Sequence, residues 1–336
     1  MSKDLVFFDT NKLFTNDDVE QILPINELKK YLCTSKIYFP DIVFEEVKQK
    51  KKENLKKLSD SLLGNKLFKS FNPSWSFDIE SHINTLITII DIEYTIVFLE
   101  NNEKLFEIKQ MAIEKKPPFE GKNKESDKGF KDVYIYFTIL EFLEKEQKQI
   151  YFIAKDGLLK EAFEDNPLVS VHDSYDSYIN SRLSYYEEEY FLKQLSSELD
   201  DKILSRHIKN KYITPLNTVQ LYIEKDTKKI NVFCDYTTRE LLEYESLDKS
   251  IESKVNGIES LRNSTSFEKT HDAIEQLSKY SNYTNEQEEE LINIFLNNRQ
   301  VFWIATDEDV ERFFSFATKK KSYMNDEKWK EFKKHF

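Results

Sequence analysis

The chain has few of the residues that form disulfide bonds or bind metals through sulfur and nitrogen. Its 336 residues include two cysteines, Cys33 and Cys234, and five scattered histidines. Two cysteines cannot form a disulfide framework, and these two lack the spacing of metal ligands. Dispersed histidines exclude a metal cluster built mainly from imidazole. This composition is typical of a reduced compartment, so we predict a cytoplasmic protein.

Long apolar segments are also missing. The most apolar window, residues 83–99, is interrupted by Asp91 and Glu93 and is too short to span a bilayer. The first residues do not show the basic-then-apolar pattern of a signal peptide. We therefore expect no contact with a membrane.

Positive charge is scarce, and arginine is absent from the first 181 residues. The chain carries 49 Lys and Arg against 61 Asp and Glu, which gives a net charge of −12. Because an acidic protein repels nucleic acid at long range, any such contact needs a local basic patch. In the first half of the chain that patch must consist of lysines, which lack the bidentate geometry of arginine.

Aromatic residues, in contrast, make up 14% of the chain, which excludes a disordered protein. Apolar runs typical of strands buried on both faces lie at residues 5–8, 36–40, 150–154 and 168–171. Between the second and third runs, residues 79–116 are predicted to be helical. Because strands alternate with helices, we predict an α/β domain with a parallel sheet over residues 1–175.

The pattern changes after residue 175. A helical apolar stripe predicts one connecting helix over residues 176–212. Two apolar runs separated by a turn predict a β-hairpin at 219–233, and the run at 301–305 predicts a further strand. Together with several helical segments, they indicate a smaller α+β accessory domain over 213–336. We expect any protein partner or second copy of the chain to bind through this domain.

Four acidic side chains lie at the ends of predicted elements in the first domain: Asp9, Glu46, Asp132 and Asp156. Alone, each is explained as a turn residue, a solvated helix residue or a charge near a helix N-terminus. However, the carboxyl ends of parallel strands and the starts of the following helices meet at one edge of a sheet. The four carboxylates are therefore expected to lie close together.

A cluster of four carboxylates has a chemical consequence. Like charges raise one another's pKa unless a cation lies between them. Oxygen ligands without His or Cys favour a hard ion, so we predict Mg²⁺ or Mn²⁺. Such ions activate water and stabilise the charge that develops during phosphodiester hydrolysis. The predicted activity is therefore metal-dependent cleavage of a phosphodiester bond.

Four segments around these acids resemble the motifs of the PIN-domain nucleases, in the same order and at similar spacing. The segments are residues 6–11 (VFFDTN), 39–47 (FPDIVFEEV), 129–133 (GFKDV) and 152–156 (FIAKD). They are similar to the family's strand followed by D-T-N, its P-x-x-V-x-x-E-[LV], its G-x-x-D-A and its F-[VI]-T-x-D. The chain looks most like the larger bacterial members that carry a C-terminal extension.

The resemblance implies a three-layer α/β/α fold and a Mg²⁺- or Mn²⁺-dependent endonuclease that cleaves RNA rather than DNA. It assigns the catalytic and metal-binding positions to Asp9, Glu46, Asp132 and Asp156, and supporting positions to Thr10 and Asn11. It is also consistent with a role in toxicity or phage defence.

The sequence departs from the family pattern near the last acid. Ala154 and Lys155 stand where the family has a small polar pair, so Lys155 either contacts phosphate or points away. At the second motif, Glu45 adjoins Glu46, and both are candidates for the metal ligand. We prefer Glu46 because, as in the motif, it directly precedes Val47.

A lysine-rich segment precedes Asp132. Four lysines of this segment are predicted to bind substrate phosphates: Lys122, Lys124, Lys128 and Lys131. The alternative is a solvated loop, because acidic residues dilute the positive charge. A second lysine run, at residues 48–57, is interpreted as a solvated helix face.

Other functions remain open. A DNA or flap endonuclease would use the same chemistry, because carboxylates that bind metal act on phosphates, and no reader of the 2′-hydroxyl is recognisable. A catalytically silent PIN-like scaffold is the alternative outside the enzymes, although all four acids are present. A receiver-type phosphoacceptor needs an acid pair after the first strand, and a haloacid dehalogenase needs D-x-D, where this chain has Asn11.

Overall fold

A computed structural model of the chain describes residues 3–14, 19–32, 34–72, 74–101, 104–114, 116–119, 129–318 and 326–335. The chain divides into two units, Ser2–Ser181 and Arg182–Phe336. In the described part of the chain, no helix is both long and apolar enough to cross a membrane.

The first unit is built on a five-stranded parallel sheet flanked by helices, which confirms the predicted α/β class. Its strands are β1 (Asp4–Phe8), β2 (Ser35–Pro40), β3 (Tyr94–Val97), β4 (Ile150–Ile153) and β5 (Val169–His172). Its helices are α1 (Thr10–Leu13), α2 (Ile25–Leu32), α3 (Asp41–Gly64), α4 (Lys66–Phe71), α5 (Ile79–Thr88), α6 (Lys104–Glu114), α7 (Phe130–Glu146), α8 (Gly157–Ala162) and α9 (Tyr175–Ser184).

The strands lie in the order β3-β2-β1-β4-β5, with β1 at the centre. Phe7 is paired with Tyr38 on one side and with Phe152 on the other. Residues 5–8 of β1 are buried, as expected for a central strand covered by helices on both faces. All five strands are parallel, so their carboxyl ends share one edge of the sheet.

The prediction of helices throughout residues 79–116 is wrong in the middle of that range. The segment Tyr94–Val97 forms β3, which pairs with β2 at the edge of the sheet. Its aromatic and β-branched residues favour a strand. The strand has only four residues, of which Thr95 is exposed and the other three are half-buried, so the helical periodicity of the flanking segments dominated the prediction.

The second unit contains a four-stranded antiparallel sheet and a set of helices, which confirms the α+β prediction. Its strands are β6 (Ile208–Ile213), β7 (Thr218–Lys225), β8 (Lys228–Asp235) and β9 (Leu241–Ser246), in sequential order. Its helices are α10 (Glu189–Glu198), α11 (Leu247–Arg262), α12 (Phe267–Ser278), α13 (Asn285–Asn297), α14 (Arg299–Trp303), α15 (Glu308–Ala317) and α16 (Asp326–Lys333). The predicted hairpin corresponds to β7 and β8.

Two predictions in the C-terminal half are corrected. Residues 176–212 do not form one connecting helix: α9 and α10 are followed by β6, and Asp200 has a φ of +47° just after α10. A left-handed residue ends a helix, and β6 then pairs with β7. The predicted strand at 301–305 is largely α14, whose first turn is capped by Asn298. A short buried apolar run does not distinguish these two states.

Candidate active site at the edge of the parallel sheet

The four predicted acids come to the same edge of the parallel sheet. Asp9 directly follows β1, and Asp156 lies between β4 and α8. Glu46 is on α3, which begins where β2 ends, and Asp132 is in the first turn of α7. Because β2, β1 and β4 are neighbours in the sheet, their carboxyl ends bring these side chains within electrostatic range of one another.

Asp9 is the most buried member, with 4% of its surface exposed. Its Oδ2 atom is buried and has no hydrogen-bond partner in the described part of the chain. Burial raises the pKa of Asp9, and the charges of Glu46 and Asp156 add to that rise. The backbone amides of Thr10 and Asn11 act in the opposite direction without cancelling it. An orphaned carboxylate oxygen at this depth is expected of a group that binds a ligand.

Glu46 is the only one of the four whose charge is balanced by lysines within the described residues. Thr10 Oγ1 donates to Glu46 Oε2 at 2.9 Å, and Lys131 Nζ donates to Oε1 at 2.9 Å. Lys50 Nζ lies 3.3 Å from the same Oε1 atom. Burial acts to raise the pKa of Glu46, but the hydrogen bonds from Lys131 and Thr10 outweigh it, and the pKa is lowered.

The neighbouring carboxylate, Glu45, has a different environment. Its side chain is exposed and forms an ion pair with Lys48 on the same helix. Glu46, with 18% of its side chain exposed, faces Thr10 and the other acids. The structure therefore brings Glu46, and not Glu45, into the cluster.

The pKa of Asp132 is strongly raised. Burial, followed by the charges of Asp156, Asp9 and Glu46, raises the pKa of Asp132 to about 6. The position of Asp132 depends on Gly129, which precedes α7 with a φ of +117°. A Cβ atom at Gly129 would lie 2.9 Å from the Phe119 Cα atom, so the glycine of the third motif permits close backbone packing.

Asp156 also has a structural role. Its Oδ1 atom accepts hydrogen bonds from the backbone N–H groups of Leu158 at 2.8 Å and Leu159 at 3.2 Å. The side chain therefore caps α8. Its charge nevertheless raises the pKa of both Asp9 and Asp132. One residue thus fixes the start of a helix and belongs to the acidic cluster.

The donor chemistry of the cluster fits a hard divalent ion, because all four groups are carboxylates and Asp9 presents an unpartnered buried oxygen. Among the residues described, however, no three Asp, Glu, His or Cys side chains are arranged to hold a metal ion as they stand. Both Glu46 oxygens accept hydrogen bonds, and Asp156 Oδ1 caps a helix. Binding would require Glu46 to exchange its lysine partners for the ion.

The structure places the predicted supporting residues and the predicted phosphate-binding lysines in different environments. Thr10 is buried and contacts Glu46, whereas Asn11 contributes its backbone amide and has an exposed side chain. Lys131 contacts the Glu46 carboxylate, and its predicted role in phosphate binding stays a prediction. The three remaining lysines are outside the described residues: Lys122, Lys124 and Lys128.

Sequence reasoning missed two lysines near the cluster, Lys50 and Lys12. Lys50 belongs to the run interpreted as a solvated face, but it pairs with Glu46, four residues earlier on α3. The i,i+4 spacing is a signal that could have identified this pair. Lys51 in the same run is 1% exposed, so the solvated interpretation is wrong there too. Lys12, three residues after Asp9, donates to the Asp173 backbone oxygen at the end of β5.

A five-stranded parallel sheet flanked by helices, with acids after its central strands, defines the class of the N-terminal unit as an α/β domain. Residues 6–158 match the family model described as a PIN domain, and the N-terminal unit is therefore a PIN domain. The resemblance seen in the sequence is confirmed. PIN domains are in general metal-dependent nucleases. A search of curated proteins and a search of solved structures each returned no match.

Proposed function

We propose that the protein is a Mg²⁺- or Mn²⁺-dependent endoribonuclease that cleaves RNA phosphodiester bonds at the acidic cluster. One observation carries the proposal: four carboxylates of a PIN domain converge at one sheet edge, where Asp132 has a pKa of about 6. Burial is the largest cause of this rise, and the negative charges of the other three acids add to it, so a divalent cation bound among them would relieve it.

In this proposal the metal ligands are Asp9, Glu46, Asp132 and Asp156. A divalent ion bound by them would activate water and stabilise the negative charge that develops on the phosphate. Asp9 contributes the buried, unpartnered oxygen, and Thr10 orients Glu46 through its hydroxyl. Lys131, once released from Glu46, has an exposed ammonium group within reach of a substrate phosphate.

We propose RNA ahead of DNA on the family resemblance alone. Carboxylates directed at the backbone act on the phosphates of both nucleic acids, so the acidic cluster does not distinguish them. The test uses labelled single-stranded RNA, structured RNA, single-stranded DNA and flap DNA, each with Mn²⁺, Mg²⁺ or EDTA. We expect cleavage of RNA with either metal and none with EDTA. Preferential cleavage of DNA would make the protein a DNA or flap endonuclease.

The decisive variant is Asp132→Asn, which removes a ligand and leaves the side-chain volume almost unchanged. We expect cleavage at saturating Mn²⁺ to fall by about a thousandfold or more, because charge stabilisation in the transition state is lost. The matched control is Asp91→Asn, since the Asp91 side chain is 91% exposed. If the wild type binds RNA but neither it nor the control cleaves any substrate, the protein is a catalytically silent binding protein.

A further inference from the structure

The C-terminal unit contains a polar groove of about 850 Å³. The groove is lined by residues 262–265, which connect α11 to α12, by one face of α13 and by the start of α14. Asn298 ties these segments together, because its Nδ2 atom donates to the backbone oxygens of Leu261 at 3.1 Å and Ser264 at 3.2 Å. The volume of the groove is in the range of sites that bind small organic groups.

Several lining side chains present unused hydrogen-bonding groups. Within the part of the chain that the structure describes, four of them have no hydrogen-bond or ion-pair partner for the side chain: Asn263, Thr265, Glu289 and Arg299. In contrast, Arg262 forms an ion pair with Glu290. An amide, a hydroxyl, a carboxylate and a guanidinium group together offer both donors and acceptors. The groove therefore suits a ligand whose edge carries donors and acceptors side by side.

An exposed aromatic pair continues the groove. Phe267 lies two residues after Thr265, and Trp303 lies four residues after Arg299, one turn along α14. Phe267 is 47% exposed and Trp303 is 61% exposed. The two rings meet edge to face, with their centroids 6.4 Å apart and an angle of 78° between their planes. Such a pair leaves ring surface open for stacking with a further flat ring.

The charges of the groove distinguish between the possible ligands. The lining includes three glutamates, Glu286, Glu289 and Glu290, and two arginines, Arg262 and Arg299, so it does not attract a phosphate backbone. A flat ring with a hydrogen-bonding edge, in contrast, matches both the open aromatic rings and the unused polar groups. Nucleobases have this combination, and amide, carboxylate and arginine side chains are those that bind base edges. Only an unpaired base exposes its face and its edge together.

We propose that this groove binds an unpaired nucleobase of single-stranded RNA, which stacks on Trp303 and forms hydrogen bonds with Asn263 and Arg299. The contact is directed at the base and not at the phosphate backbone. It gives the C-terminal unit a binding site of its own, which uses none of the proposed metal ligands. The proposal rests on the proposed nuclease function, because it takes RNA as the substrate, and it adds a preference for RNA with unpaired bases.

The experiment measures binding of a labelled single-stranded RNA in EDTA, where no metal-dependent cleavage occurs, by fluorescence anisotropy at several salt concentrations. The variants are Trp303→Ala, Trp303→Phe and Arg299→Gln. The matched control is Tyr190→Ala, because Tyr190 on α10 is an aromatic residue of the same unit and is 71% exposed. A fully paired RNA duplex serves as the ligand without unpaired bases. Thermal melts establish that each variant is folded.

We expect Trp303→Ala to bind the single strand about tenfold more weakly than the wild type, because the stacking of one base is lost. The log–log salt slope of this variant should equal that of the wild type, since no phosphate contact is removed. Trp303→Phe should recover most of the affinity, and Arg299→Gln should weaken binding by about fivefold. Both Trp303 variants should bind the duplex like the wild type.

Equal affinities of Trp303→Ala and Tyr190→Ala for the single strand would overturn the base site while leaving RNA cleavage, and with it the proposed function, intact. The exposed aromatic pair would then belong to a surface for a protein partner. A salt slope reduced in Trp303→Ala would indicate a lost phosphate contact and would also overturn the proposal. If the wild type neither binds nor cleaves RNA, the proposed function fails, and the base site fails with it.

Discussion

Two buried carboxylates, Glu245 in the C-terminal unit and Asp9 in the PIN domain, have opposite environments. In the C-terminal unit, the buried carboxylate of Glu245 accepts hydrogen bonds from Ser250 at 2.6 Å and Tyr280 at 2.9 Å, and Lys279 lies 3.5 Å away. In the PIN domain, the buried carboxylate of Asp9 faces other carboxylates and leaves one oxygen unpartnered among the described residues. The first arrangement stabilises a fold, whereas the second stores repulsion that a ligand can relieve.

The polar network of the C-terminal unit extends beyond Glu245. Lys254 is 4% exposed, donates to the Asn282 backbone oxygen at 3.0 Å and lies near the rings of Tyr280 and Tyr283. Burial lowers the pKa of Lys254 to about 8. Asn231 Oδ1 has no partner within the described residues, but it is a neutral amide oxygen. The uncompensated negative charge therefore lies on the PIN domain side of the comparison.

Removing the carboxylate of Glu245 should have the largest effect on stability. We expect Glu245→Ala to lower the free energy of unfolding by about 3 kcal/mol, since it leaves the buried Ser250 and Tyr280 hydroxyls without their acceptor. Urea titrations measure this change. The control is Glu243→Ala on the same strand, which removes an exposed carboxylate paired with Lys279 and should cost under about 1 kcal/mol. Equal losses would show that Glu245 is not a buried structural charge.

Binding of Mn²⁺ should stabilise the PIN domain by about as much as Glu245→Ala destabilises the protein. If the four acids share an ion, Mn²⁺ at a hundred times its Kd should add about 2.7 kcal/mol to the free energy of unfolding. Asp9→Asn should weaken this shift, because Asp9 supplies the unpartnered oxygen. Calorimetry with and without Mn²⁺ gives the measurement. The same shift in Asp9→Asn and in Asp91→Asn would mean that Asp9 is not a ligand.

The smallest predicted effect on the free energy of unfolding comes from Asp132→Asn, which removes one negative charge from the acidic cluster. In EDTA, Asp132→Asn should stabilise the protein by about 1–2 kcal/mol at pH 7, a value reduced for partial solvent exposure. The folded pKa of Asp132, about 6, lies above its unfolded value of about 3.9. The wild type therefore loses stability as pH rises from about 4 to about 6, and the variant does not.

Unfolding at a series of pH values tests this window. The gain from Asp132→Asn should vanish below about pH 4 and be constant above about pH 6 to 7. Asp91→Asn serves again as the exposed control. A gain that is independent of pH would contradict the raised pKa of Asp132 as its cause.

Local patterns were sufficient for the central strands and for the positions of the four acids. A continuous apolar run such as residues 5–8, bounded by turn residues, is typical of a strand covered on both faces in an α/β protein. The acids after these runs then follow from chain direction alone, because parallel strands end at one edge. The fold class and the composition of the cluster therefore depend on sequence features within a few residues of each acid.

The remaining features of the fold and of the site were decided by strand pairing and by burial. Both depend on residues that are distant in the chain, so no local pattern predicts them. The run at 301–305 became mainly α14, whereas Tyr94–Val97 became β3 through pairing with β2. The choice of Glu46 over Glu45 depends on the Thr10 hydroxyl, 36 residues away in the sequence. Likewise, Lys12 meets Asp173 only because β1, β4 and β5 are neighbours. No local pattern encodes which side chain loses water, so the raised pKa of Asp132 is a property of the tertiary structure.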